Sequence, residues 1–241
     1  NKFFHSVLSG WVLAAVFVVG VSCWYLWKNR EKKFALSSIK IAAWVGLCAA
    51  VLSAWTGDGS GYQVAQKQPM KLAAMEGYYQ GQEGAGLVAF GILNPEKETA
   101  GDGKDAFLFR MEIPKFLSLL AERDSKAFVP GINDLVYGNE ERGILSAAEK
   151  MERGRVAVDE LGRYRAAREA GDTAAIAEIQ SKFDRSTPEG EAFLRDHFAY
   201  FGYGYLDRPE QIVPNIPLLF YSFRVMVGAG CFFILLLGLV W

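Results

Sequence analysis

Hydrophobic positions fall into three long blocks. Residues 3–27 carry no formally charged side chain, residues 34–56 carry only Lys40 at the near edge, and residues 216–241 carry only Arg224. Each block approaches or exceeds the roughly 20 apolar residues needed to cross a hydrocarbon core of about 30 Å. The pattern therefore predicts three membrane-spanning helices. Between the second and third, residues 57–215 are charged, punctuated by glycine and soluble in character. The fold class predicted is an all-α integral membrane protein: a transmembrane helix bundle with one large, mostly helical loop domain.

Within that excursion the helix signals are local. Pro69 at a first-turn position opens a short helix over residues 70–79. Residues 140–168 are rich in helix formers, with Ile144, Leu145, Ala148, Met151 and Leu161 loosely periodic, and Gly171-Asp172 ends them. A helix over 173–183 follows, and Thr187-Pro188-Glu189 starts another that runs to about Tyr200. The glycine-rich residues 81–104 read as loop, and no internal repeat is present.

The charges orient the chain. The first connection reads Lys28-Asn29-Arg30-Glu31-Lys32-Lys33, with Lys40 close behind. Short loops rich in lysine and arginine stay in the cytoplasm. The boundaries predicted are a span over 1–27, a cytoplasmic basic loop over 28–40, a span over 34–56, a periplasmic domain over 57–215 and a third span over 216–241. Trp55, Tyr200, Phe201, Tyr203, Tyr205, Phe220 and Tyr221 gather near the outer boundary, as an interfacial aromatic belt does. A signal-peptide reading of the first block fails on its length and its cationic downstream flank. The start at Asn1 and the end at Trp241, inside an apolar run, suggest a piece of a longer chain.

The whole-chain balance adds little: 51% of residues are hydrophobic and the formal net charge is -1. No basic patch argues for nucleic acid. Cys23, Cys48 and Cys231 all lie in the apolar blocks, which predicts buried, inert thiols rather than a disulfide framework.

Few residues carry candidate chemistry. His5 lies 22 residues before Trp27, about 33 Å along a helix and so near the outer face. An ionisable residue in a span is a functional candidate, and a boundary histidine meeting water is the competing reading. Met226 lies about 14 Å into the third block, also in the outer half, where methionine is ordinarily packing material. Arg224 costs about 2.5–3.5 kcal/mol on insertion scales and calls for a partner, unless it snorkels to the surface. A histidine and a methionine at similar depth suit the two axial positions of a low-spin heme. Lys71 and Glu76, five apart and about 140° around a helix, do not form an i,i+4 pair and read from composition as solvated charges. His197, in a charged helix, reads as a surface residue. No zinc cluster, phosphate loop or hydrolytic triad is legible.

Several segments carry a resemblance. Phe3-Phe4-His5-Ser6, Gly57-Asp58 with Ser60-Gly61-Tyr62, Gln68-Pro69-Met70-Lys71-Leu72-Ala73-Ala74-Met75-Glu76 and Phe223-Arg224-Val225-Met226-Val227 together resemble subunit I of the cytochrome bd-type quinol oxidases. The resemblance covers essentially the whole chain, and its order agrees with the topology above. It implies that His5 and Met226 are the axial ligands of a low-spin b heme and that Arg224 lies near that heme. Lys71 and Glu76 are implied to serve a periplasmic quinol site in the Q-loop, of the long type here. Lys71 would hold a quinol oxygen and Glu76 would accept a quinol proton. The high-spin b heme and the d heme of the family take their ligands from helices outside this sequence. Ubiquinol or menaquinol, a second oxidase subunit, small accessory subunits and the lipid of the bacterial inner membrane are the implied partners. Gly77, Tyr78 and Tyr79 depart from the tryptophan-containing pattern expected after Glu76, so they say nothing of quinone preference. Two other classes fit the pattern less well. A membrane-anchored sensor with a periplasmic ligand domain leaves His5, Lys71, Glu76 and Arg224 without a shared purpose, and a transporter subunit lacks the broken paired helices usual there.

Overall fold

The computed structural model describes residues 2–241. Helices α1 (Lys2–Trp27) and α2 (Lys32–Lys67) form an antiparallel hairpin, and α9 (Ile216–Val240) packs along both. All three are long and apolar enough to cross a membrane. Small residues make the seam: Ala15, Ala42, Ala43, Ala49 and Ala50 are buried, with Gly46 between Ala15 and Leu237. Small side chains let helix backbones approach closely where apolar surroundings give no hydrophobic drive. Large side chains such as Trp11, Phe17, Ile41, Leu235 and Leu239 point outward. Cys23, Cys48 and Cys231 are exposed too, so the expectation of buried thiols is corrected: each lies on a helix face turned away from the seam.

Helix α2 runs on beyond its apolar block. Its 36 residues extend about 54 Å, far more than a bilayer core needs. Gly57, Gly59 and Gly61 each weaken a helix by about 1 kcal/mol, yet they do not end it. Contacts on the polar extension outweigh them. Ala65 is buried with Tyr78, Leu117, Ala121 and Val129. Asp58 accepts from Arg123 at 2.5 and 3.0 Å, and Gln66 donates to Glu122 at 2.9 Å.

The excursion then folds in two parts. Helix α3 (Pro69–Glu76) has Pro69 in its first turn and ends on Gly77, whose φ of 61° is left-handed. Strand β1 (Gln82–Glu83) later pairs with β4 (Phe128–Val129). Strand β2 (Leu87–Leu93) pairs antiparallel with β3 (Phe107–Ile113). The expected loop over 81–104 is thereby corrected. Leu87 to Leu93 is a continuous apolar, strand-forming run, and its partner lies beyond a loop gathered on Asp102, where Lys97 pairs at 2.6 Å. Helices α4 (Phe116–Glu122) and α5 (Ile132–Tyr137) close this part.

The second part is helical, as its composition predicts. Residues Glu140–Arg142 form only a 3₁₀ turn, and α6 (Ala147–Ala170) begins at a capping box in which Ser146 and Glu149 satisfy each other's backbone N–H. Helices α7 (Thr173–Ser181) and α8 (Pro188–Asp196) follow, then 3₁₀ turns over Phe198–Tyr205 and Pro209–Ile212. Gly154 of α6 lies so close to Gly204 that a Cβ on Gly154 would sit 2.3 Å from the Tyr200 carbonyl oxygen. That contact holds the aromatic turn against α6. His197 is half-buried against Phe193 rather than on the surface, because the chain turns back after α8 into an aromatic cluster with Phe183, Phe198 and Phe201.

Candidate functional site

The most buried charge in the excursion is Glu76, at 1% exposure in the last position of α3. It is buried because three elements converge on it. Helix α9 brings Arg224, whose Nη2 donates to Glu76 Oε2 at 2.7 Å and to the Val88 carbonyl of β2 at 2.8 Å. The other guanidinium nitrogen, Nη1, donates to the Met75 carbonyl. Phe220, one turn earlier on α9, lies fully buried beneath the guanidinium carbon at 3.9 Å and packs against Phe107 of β3. Phe220 thus belongs to this core and not to an aromatic belt. Gly77 is needed twice here, for its left-handed turn and because a Cβ would press Phe107, Leu93 and Phe220.

The electrostatics of Glu76 are set by two opposing causes. Burial is the larger and raises its carboxyl above the ordinary range, while the charge and hydrogen bond of Arg224 pull it down. A carboxyl so placed takes up a proton more readily than an exposed glutamate. The Nε of Arg224 has no hydrogen-bond partner, so the arginine retains a donor beyond its contacts with Glu76, Met75 and Val88.

Lys71 stands apart. It is exposed at the opposite side of α3 and lines a cleft of about 450 Å³ with Met70, Leu135, Lys150, Tyr203 and Leu219. The reading of Lys71 and Glu76 as two solvated charges therefore fails for Glu76 and holds for Lys71.

His5 hangs on α2. Its Nδ1 lies 3.0 Å from the Ser53 carbonyl oxygen, with the Ser53 and Thr56 hydroxyls each at 3.5 Å. A carbonyl only accepts, so Nδ1 is the donor in this contact and Nε2 is the nitrogen left to meet a metal. That is the tautomer and orientation a metal-bound histidine ordinarily shows. Met226 is half exposed on α9. The two residues lie toward the same ends of their helices. Val12 clusters with Phe233, and Val19 with Phe233, Leu237 and Val240, so α1 and α9 run in the same direction. His5 precedes Val12 by seven residues and Met226 precedes Phe233 by seven, each about 10 Å up its helix on nearly the same face. Among the described residues no group of three or more His, Cys, Asp or Glu could hold a metal ion. A heme iron needs only two ligands from the protein, and a histidine with Nε2 left to meet a metal and a half-exposed methionine toward the same ends of their helices fit that need.

The structure thus joins Glu76 to Arg224, a pairing the sequence did not suggest, fixes His5 on α2, and keeps Lys71 in a separate cleft. Lys150 carries no signal in the sequence and Tyr203 reads there only as part of an aromatic belt, since their place beside Lys71 depends on folding over a long separation.

Three helices long and apolar enough to cross a membrane, with a buried glutamate–arginine pair where the excursion meets the third of them, define an integral membrane protein. The chain belongs to the family described as cytochrome bd terminal oxidase subunit I, which matches residues 1–241. It is 30% identical to the cytochrome bd-II ubiquinol oxidase subunit 1 of Escherichia coli (strain K12), over 98% of this chain and 43% of that protein. It is 30% identical to the cytochrome bd ubiquinol oxidase subunit 1 of Bacillus subtilis (strain 168), over 56% of this chain and 27% of that protein. The bd oxidase structure from Geobacillus thermodenitrificans aligns over 97% of this chain and 56% of that chain, at 21% identity and a TM-score of 0.48. The chain spans less than half the length of the two curated relatives.

Proposed function

We propose that this chain is the quinol-oxidising portion of subunit I of a terminal respiratory oxidase in the bacterial inner membrane. Residues 57–215 face the periplasm as a long Q-loop. Ubiquinol or menaquinol binds there, and its oxidation feeds oxygen reduction to water in the complete enzyme. A second subunit, small accessory subunits and surrounding lipid complete the assembly.

Quinol oxidation releases two protons and two electrons. Lys71 holds a quinol oxygen at the rim of its cleft. Glu76 is the proton acceptor behind the cleft: it lies on the other side of α3 from Lys71, so the proton reaches it by a relay and not by direct contact with the quinol, and Arg224 stabilises its carboxylate between turnovers. His5, held by Ser53, and Met226 would hold a low-spin b heme, which would supply one-electron acceptance. Arg224, two residues from Met226 on α9, would add positive charge beside that site and favour the reduced state. The high-spin b heme and the d heme belong to other parts of subunit I.

The observation that carries this reading is the buried Glu76–Arg224 pair. It ties the proton acceptor of α3 to the helix that bears a heme ligand. A sensor gives that pair no purpose.

The test uses the full-length oxidase. Glu76→Gln should lower quinol turnover by about 10²-fold or more, the range of a removed proton acceptor, with the reduced b-type spectrum intact. Unaltered turnover would remove Glu76 from the mechanism. The wild type has a matching pH signature. Burial raises the carboxyl, so the proton-accepting anion is depleted as pH falls through that raised value. The acid limb of turnover should therefore lie above the ordinary carboxylate range, and Glu76→Gln should abolish the limb.

A further inference from the structure

The cleft that holds Lys71 has a second wall made by a distant part of the chain. Met70 and Lys71 come from α3, Leu135 from α5 and Leu219 from α9. Lys150 of α6 and Tyr203 of the 3₁₀ turn over Phe198–Tyr205 also line it, as do Lys67 and Gln68 where α2 meets α3. The volume, about 450 Å³, falls in the range of about 300–1,000 Å³ typical of small-molecule sites. Its composition is that of a site for a ring with polar edges: an apolar lining with a few convergent polar groups.

Lys150 is unusual among the surface lysines. It is half-buried and forms no ion pair among the described residues. Its neighbour Glu149 is occupied in capping Ser146. The ammonium lies 5.9 Å from the centre of the Tyr203 ring. Burial pushes its pKa down and that of the Tyr203 phenol up. A partly desolvated cation without a partner is unfavourable unless something else meets it. The Gly154–Gly204 contact fixes the aromatic turn on α6, so Lys150 and Tyr203 are held in place before any ligand arrives.

We infer that Lys150 binds the second ring oxygen of the quinol, opposite Lys71, so that the 1,4-oxygens of the ring each meet an ammonium group from a different wall of the cleft. The inference rests on the quinol reading of Lys71 given above. The long helical insertion thereby becomes part of the binding site and not only a cover for it.

The experiment compares Lys150→Met, Lys150→Arg and Lys71→Met in full-length oxidase, assayed with a short-tailed ubiquinol analogue in detergent and in vesicles of phosphatidylcholine with or without phosphatidylglycerol. A lost hydrogen bond to a charged group corresponds to about a tenfold rise in KM. Lys150→Met should show that rise in all three media with the heme spectrum unchanged, and Lys150→Arg should recover most of it. If Lys71→Met is impaired and Lys150→Met matches wild type, Lys150 is no ligand and the quinol reading of Lys71 stands. If neither variant changes KM, the cleft is not the quinol site and both readings fall. If Lys150→Met is impaired only where phosphatidylglycerol is present, the lysine meets a lipid phosphate and the inference is overturned. Loss of the heme spectrum in both Lys150 variants would make the residue structural and overturn it as well.

Discussion

Arg224 joins more elements than any other side chain here, and its position sets two expectations. It donates to α3 through Met75 and Glu76 and to β2 through Val88, from within a membrane-spanning helix. Removing one member of a buried ion pair leaves the other charge uncompensated, at about 3–5 kcal/mol, whereas replacing both by apolar residues is often near neutral. Arg224→Leu alone should therefore lower the temperature at which the purified oxidase loses its native absorption spectrum. The Glu76→Leu/Arg224→Leu double variant should regain much of that loss. A double variant less stable than the single one would show the pair to be stabilising in its own right. Linkage adds a sign. Burial raises the Glu76 pKa, so the native state holds that proton more tightly than the unfolded chain. The stabilisation is complete below the ordinary carboxylate range and is lost as pH rises through the native value. The second residue-scale expectation concerns His5. With Nδ1 committed to Ser53, His5→Ala removes the candidate nitrogen ligand. The low-spin b component of the reduced-minus-oxidised spectrum should disappear, and an unchanged spectrum would withdraw the ligand assignment.

At the scale of elements, what could be read from the sequence was what is local. The three spans follow from uninterrupted apolar blocks, and α6 and α8 follow from Gly171 and from Thr187-Pro188-Glu189. The hairpin of β2 and β3 was hidden for two reasons. Gly81, Gly84, Gly86 and Gly91 invite a loop reading, and the partner strand lies beyond the Asp102 loop, so no hairpin turn signal joins them. The extension of α2 past Thr56 was hidden because glycine and aspartate there argue for a break. The stabilising contacts come from α3 and α4, which local spacing cannot show. The candidate site divides in the same way. His5, Lys71, Glu76, Arg224 and Met226 were found by type, position and resemblance. That Glu76 is buried on Arg224, and that Lys150 joins Lys71, depends on contacts across 148 residues in the first case and between α3 and α6 in the second. Phe220 shows the same limit: an aromatic at a span's first turn reads as belt, yet this one is fully enclosed.

At the scale of the whole molecule, α2 is one unbroken rod from the basic turn to the threshold of α3. Its lower half is locked in the seam with α1 and α9, and its upper half is locked to α4 by Arg123 and Gln66. The excursion is therefore indexed to the membrane like a key on a shaft, in both height and angle. One extra residue in the middle of α2 advances the shaft by about 1.5 Å and turns everything above it by about 100°, whereas four extra residues lift it by about 6 Å and bring it nearly back into phase. Single-alanine insertion after Trp55 should abolish quinol turnover in the full-length oxidase, and a four-alanine insertion should retain a larger share of it. Angular phase, more than distance, is then the quantity that this helix transmits from the bilayer to the cleft at Lys71.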